Sequence, residues 1–273
     1  MYEEKVAAAE YIKSKIGDRK PKILIILGSG LDSVAENCQN AVHIPYGDIA
    51  GFPGTTVEGH KGELICGTIG KTEVLVMRGR FHLYEGYAPS LFAFIIHTFK
   101  LLGIEKIILT NAAGCLNENF NVGDLMLITD HINFSGKNPL EGKNDDMISS
   151  RFFPVTPTYS LEMRNDFKDI ASKIGITLRE GIYMMVLGPN YETNAEVVMF
   201  RKWGADAVAM SIVPEVLAAA SCGLQVCGIS VLTNMGAGMK GSVLDHKDVL
   251  QKGAEAGVKL SKLIVEYLNK QES

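Results

Sequence analysis

Several absences narrow this 273-residue chain before any feature is weighed. Its five cysteines, Cys38, Cys66, Cys115, Cys222 and Cys227, are odd in number, form no C-x-x-C pair and sit mostly in apolar surroundings. Neither a disulfide scaffold nor a zinc site is expected from them. No stretch reaches the roughly 18 apolar residues that a membrane span requires. Basic runs are missing too, and the formal charge of -4 comes from interspersed residues, which argues against nucleic acid or an anionic membrane as the main partner and leaves a small ligand. There are no repeats or low-complexity tracts. Two nucleotide fingerprints are also lacking: GSG at 28–30 has Ser33 where a dinucleotide-binding turn places its third glycine, and no G-x-x-x-x-G-K-[ST] occurs. The amino-terminal MYEEKVAAAEYIKSKI reads as an amphipathic helix on Val6, Ala9, Ile12 and Ile16 rather than as a secretory leader, so a cytoplasmic location is expected.

What is present is a core-forming pattern. Hydrophobic residues make up 47% of the chain, enough for one large domain. Short β-branched runs recur at 22–27, 73–77, 106–110, 125–129, 182–187, 206–210 and 225–232 and read as fully buried strands. Helical patterns such as PSLFAFIIHTFKLLG, TNAEVVMFRKWG and VPEVLAAASCG lie between several of them, which predicts an α/β fold on a mixed, largely parallel sheet. The stretch 135–160 has no periodicity and reads as a lid, a binding loop or an interface element. GSG, RGRFH, NAAG, GPNYE, MSIVPE and TN each follow a strand. Ligands of open α/β sheets bind at the carboxyl ends of the strands, so these segments predict one composite site. Gly28 and Gly30 allow close approach of an anion, Ser29 and Ser211 supply hydroxyls, and Arg80 offers a bidentate fork.

Position 192 raises the sharpest local question. In GPNYETNAE (188–196), Thr193 followed three residues later by Glu196 fits a capping box, and Ala195, Val198, Met199 and Trp203 continue at helical spacing. Glu192 precedes the cap, where its carboxylate either faces a ligand or is solvated. Other positions are equally two-sided on local grounds. Ser29 fits a turn or an anion site, Asn234 a turn cap or a ligand contact, and His60, in EGHKGE, a plain loop or a site. Arg80, His82 and Tyr84 fall within five residues at a strand end, a costly group to bury without use. His97, inside LFAFIIHTFKLL, reads as structural, while His43 and His131 have no partner that the sequence names. Asp245 reads as the cap of the last helix, which puts His246 in its first turn. The helix dipole there disfavours the cation, so a neutral, hydrogen-bonding imidazole or a solvated one is expected.

GSG, GRFHLYEGY, TNAAG, GDLMLITDHIN, NPL, GPNYETNAE, GADAVAMSIVPEV, ISVLTN and DHKDVL, in this order over nearly the whole chain, resemble the trimeric class of purine nucleoside phosphorylases. The resemblance implies a phosphorylase/hydrolase-like α/β fold, one domain over 1–273, with a distorted mixed sheet flanked by helices. It implies reversible phosphorolysis of purine ribo- and deoxyribonucleosides, chiefly inosine and guanosine, with inorganic phosphate as co-substrate and neither metal nor organic cofactor. Phosphate would meet Ser29, Arg80, His82, the backbone N–H of Ala112, and Ser211. The nucleoside would meet His60, Tyr84, Phe153, Tyr191, Glu192, Met210, Asn234 and His246, with the chemistry resting on His82, Glu192, Asn234 and His246. A homotrimer is implied, Phe153 reaching into a neighbour's site. Ala209 and Ile212 stand where Gly and Thr are commoner, Tyr191 where Phe is frequent, and Asp245 where Asn or Ser is usual. Two other readings use the same features: a nucleoside hydrolase-like activity, with water replacing phosphate, and a non-catalytic nucleotide-binding protein. The second sits poorly with motif residues retained at both ends of the site.

Overall fold

The run ILII becomes β1 (Ile23–Ile26), every residue of it buried, between β4 (Thr72–Arg78) and β5 (Lys106–Cys115), both parallel to it. Unbroken apolar sequence is what a strand covered on both faces needs. The pleat then divides it: Leu24 and Ile26 join one core, Ile23 and Ile25 the other. The first core is closed by α1 (Tyr2–Ile16), α2 (Ser90–Leu102) and α5 (Val213–Ser221), the second by α3 (Leu161–Ile174) and α6 (His246–Lys270). A smaller cluster lies under α4 (Asn194–Lys202). The structure is a computed structural model that describes residues 2–54, 61–242 and 244–271. Among these, no helix is long and apolar enough to cross a membrane.

Among the described residues nine strands form the sheet where seven were expected. The two additional ones, β2 (Gln39–Pro45) and β3 (Glu63–Ile69), extend it antiparallel beyond β4. β2 is a half-exposed edge strand and so carries no apolar run for periodicity to find. The other half of the sheet departs from an open one. β5 pairs on one side with β9 (Gln225–Met235) along its full length, and on the other side first with β1 and then, at Gly114 and Cys115, with β8 (Ala207–Ala209). β8 continues to β7 (Leu178–Met185), β7 to β6 (Leu125–Asn133) and β6 back to β9, which closes a ring of five strands. Of the nine pairings five are parallel and four antiparallel. The sheet is therefore mixed, its parallel share only a narrow majority.

Helix signals hold at the caps. Thr193 Oγ1 accepts from the Glu196 N–H at 3.2 Å while Glu196 Oε2 accepts from the Thr193 N–H at 2.7 Å, which closes the expected capping box. Asp245 caps α6 through the N–H groups of Lys247 and Asp248. The inner face of α1 is rotated from the expected one: Lys5 and Ala8 are buried with Ala9, Ile12 and Ile16, and Val6 is only half-buried. Residues 135–160 form turns and bends with one isolated bridge, Tyr159 to Val226, as the missing periodicity implied.

Candidate active site

The carboxyl ends of β1, β4, β5, β8 and β9 converge on a cleft of about 710 Å³, counting its open mouth. Ser29, Arg80, His82, Tyr84, Ala112, Tyr191, Glu192, Met210, Ser211, Asn234 and His246 all line it. Phe153 does not; it is half-buried within the 135–160 loop. His60 lies outside the described residues. Gly28, expected to allow close approach of an anion, lines it too, as do Asn111, Gly114 and Thr233, which carried no sequence signal of their own beyond their neighbours.

At the inner end, close approach of backbones does much of the shaping. A side chain at Gly28 would place its Cβ 2.7 Å from Asn111 Cα and 2.8 Å from the Thr110 carbonyl, so only glycine lets β1 end against β5 here. The Gly28 N–H donates to Thr110 Oγ1 at 3.2 Å, and that hydroxyl donates on to the Ile26 carbonyl at 3.1 Å. Arg80 is 1% exposed. Its Nε donates to Glu215 Oε1 at 3.2 Å, its Nη1 to the Thr110 carbonyl at 2.7 Å and, more distantly, to Ser211 Oγ at 3.4 Å. The fork expected to grip an anion on two prongs is thus held along one edge by Glu215, because a buried guanidinium needs a counter-charge before any ligand arrives. Glu215 was hidden from the sequence inside a helical pattern.

Ser211 is fixed by backbone means. The buried Tyr183 hydroxyl accepts from the Ser211 N–H at 3.3 Å and donates to its carbonyl at 2.9 Å. Ile212, fully buried, then adopts φ 73° and ψ −54°, and the Val213 N–H closes a three-residue turn onto the Ser211 carbonyl at 2.9 Å. A γ-turn of this hand is rare and strained, the more so for a β-branched side chain. It swings the chain from β8 straight into α5, so Ser211 faces the cleft and Glu215, in the first turn of α5, meets Arg80.

His82 is held by Glu85, which carries no signal in the sequence. Glu85 Oε1 accepts from the His82 N–H at 2.8 Å and lies 3.0 Å from its Nδ1, while Tyr84 stacks on the ring at 4.7 Å between centroids. Burial pushes the His82 imidazole down from its ordinary value, against the upward pull of the Glu85 hydrogen bond. Burial also raises the Tyr84 phenol to about 12.

The outer end is half-buried and built from local turns. Burial raises the Glu192 carboxyl above the usual carboxylate range, with the Glu196 charge adding to the rise. The carboxylate thus lines the cleft in a partly dry setting, unlike a solvated turn residue. Asn234 Oδ1 accepts from Thr233 Oγ1 at 3.0 Å and its Nδ2 donates to the Met235 carbonyl at 3.2 Å, which orients the amide with a second N–H on the same nitrogen. His246 is exposed at the rim, in the first turn of α6. Among the described residues, no group of three or more His, Cys, Asp or Glu side chains could hold a metal ion.

A closed half-sheet with an anion-competent inner end and a partly dry, acceptor-bearing outer end defines an enzyme-like cleft for a small polar ligand, and a family model agrees. The model of the phosphorylase superfamily matches residues 22–269, and the chain belongs to that family. Purine nucleoside phosphorylase 1 of Geobacillus stearothermophilus is 48% identical over 89% of each chain. Purine nucleoside phosphorylase of Bos taurus is 41% identical over 96% of this chain and 93% of its own. The solved structure of Schistosoma mansoni purine nucleoside phosphorylase in complex with inosine matches with a TM-score of 0.92 at 36% identity, over 98% of this chain and 96% of that one. A second structure of that protein, in complex with adenosine, matches with the same TM-score and identity.

Proposed function

We propose that the protein catalyses reversible phosphorolysis of purine nucleosides, chiefly inosine and guanosine, to free base and pentose 1-phosphate. The observation that carries this reading is the junction, in one cleft, of the end formed by buried Arg80 and Ser211 and half-buried Ser29 with the half-buried Glu192–Asn234 end; the names of the relatives support it.

Cleaving the N-glycosidic bond leaves positive charge on the sugar and negative charge on the departing purine. Phosphate at the inner end, against Ser29, Arg80, His82, the Ala112 N–H and Ser211, attacks the anomeric carbon as the C–N bond breaks, and its charge offsets that of the sugar. Ribose occupies the middle, beside Tyr84 and Met210. At the outer end an Asn234 N–H donates to N7 or O6 as charge builds in the ring, a preorganised contact of the oxyanion type. Glu192 accepts from N1–H, and in guanine also from the 2-amino group; adenine has no N1–H, so the pocket favours 6-oxopurines. The reaction so written uses inorganic phosphate as co-substrate and no cofactor.

The site is completed in a cytoplasmic homotrimer, with Phe153 covering a neighbour's nucleoside. In support, Phe153 does not line its own cleft and the adjacent Phe152 is 91% exposed. Release of base from inosine, guanosine and adenosine, assayed with and without phosphate, tests the reaction. Turnover that needs phosphate and favours the 6-oxo substrates is expected; release indifferent to phosphate would replace it with hydrolysis.

A further inference from the structure

Lys5 lies on the inner face of α1 and is only 8% exposed. Its ammonium donates to Asp145 Oδ2 at 2.9 Å and to His97 Nδ1 at 3.2 Å. The other nitrogen of that imidazole, Nε2, lies 3.1 Å from Ser221 Oγ, whose own proton goes to the Ala218 carbonyl at 2.7 Å. Lysine offers only donors and Ser221 has committed its proton, so His97 accepts at Nδ1 and donates at Nε2, one neutral tautomer. Burial, then the Lys5 charge, lowers its pKa to about 4.

These groups come from α1, α2, the 135–160 loop and the last residue of α5. Ser221 holds the loop a second time, its carbonyl accepting the Ser150 N–H at 3.1 Å. The Asp145 carbonyl accepts from the N–H groups of Ile148 and Ser149, both at 3.0 Å, so the loop is tightly turned between its two anchors. It then runs directly into Phe152 and Phe153. α5, anchored at Ser221, starts two residues after Ser211 and carries Glu215. Stability alone does not explain a lysine here, because an apolar replacement of a buried ion pair is often neutral or stabilising, whereas a chain of charged and directional contacts accepts a single register.

We propose that Lys5 is a positioning residue for nucleoside binding: by clamping Asp145 it sets the 144–153 loop, and with it Phe153, in register with α5, the helix that carries Glu215. The proposal rests on the reading above that Phe153 completes a neighbouring nucleoside site. Asp145→Ala and Lys5→Met test it from either side of the clamp, with KM measured separately for inosine and for phosphate on assembled enzyme. Each is expected to raise the inosine KM on the order of tenfold while the phosphate KM stays within about twofold, since Ser29, Arg80 and Ser211 are untouched. The double variant should be no worse than either single one, because both remove the same contact. Either single change strands a charge of the buried pair, so the double variant, which removes both charges, is the folded form at hand if a single one does not assemble, with the same split in KM expected. A lowered melting temperature with both KM values unchanged is the mark of a merely structural pair and overturns the proposal. Phe153→Ala, run alongside, shows which part failed: a raised inosine KM there but not in the anchor variants sinks the clamp alone, and no change in any variant sinks the reading of the loop together with the clamp.

Discussion

The two ends of the cleft are held by different kinds of bond. At the inner end, the local His82–Glu85 pair apart, the bonds cross the molecule: Arg80 to Glu215, Arg80 to Thr110 and Tyr183 to Ser211 join segments distant in sequence, all of them buried. At the outer end they are local: Asn190 bonds the Tyr191 carbonyl, Thr193 and Glu196 cap each other, and Asn234 bonds its two chain neighbours. Breaking the inner set strands buried polar groups, so that end is rigid before ligand arrives. Caps of the outer kind are worth about 1 kcal/mol each. The contrast suits the proposed chemistry, in which the nucleophile has one geometry and the base end has to admit, read and release a purine.

The largest test of this division falls on the inner end. Glu215→Ala leaves Arg80 buried without its counter-charge and is expected to lower the unfolding free energy by about 3–5 kcal/mol, as buried pairs do when one partner is removed. An unchanged denaturant midpoint would mean that the inner frame does not carry the stability assigned to it. At the outer end Glu192→Gln should do the reverse, cutting kcat/KM for inosine and guanosine by on the order of 100-fold with the fold intact, because Thr193 and Glu196 still cap α4. Near wild-type turnover would put that carboxylate in solvent. Asn234→Asp is smaller: a carboxylate facing O6 is repulsive, and the inosine-to-adenosine ratio should fall by on the order of tenfold. Equal losses on both substrates would show that position 234 does not read the 6-substituent.

The smallest effects are in pH, and the two ends should differ in sign. His82 has a folded pKa below its unfolded one, so its contribution is complete above the unfolded histidine value of about 6.5 and is lost as pH falls through the folded value. Glu192 has a folded pKa above its unfolded one, so its contribution is complete below the unfolded value of about 4.3 and is lost as pH rises through the folded value. Denaturation midpoints of His82→Asn and Glu192→Gln measured across this range should flatten the acid-side loss and the loss just above pH ~4.3 respectively. Slopes of the same sign would remove the electrostatic part of the contrast.

Legibility in the sequence followed the range of the interactions. The capping box at Thr193 and Glu196 and the cap at Asp245 were readable because each spans a single turn. The central strands were readable because burial on both faces leaves unbroken β-branched runs. β2 was missed because an edge strand has no such run, and the buried face of α1 was misjudged because Lys5 is neutralised by Asp145, a partner 140 positions away in sequence. Glu85 and Glu215 went unnoticed for a related reason: acidic residues near a helix start look like ordinary dipole partners until the side chain they hold is seen.

By itself, then, the sequence determined the strand–helix alternation, the polar segments at the strand ends, the outer-end caps and, through the order of its motifs, the family. Each of these depends on neighbours within a turn or on a pattern that burial imposes locally. Only the tertiary structure decided that the half-sheet closes through β5 and β9, that a strained turn at Ile212 aims Ser211 into the cleft, and that Glu215 rather than a ligand holds one edge of Arg80. Those outcomes require groups brought together from across the chain, where a buried charge must find its partner and a backbone must approach another, and neither requirement is written in the spacing of residues along the sequence.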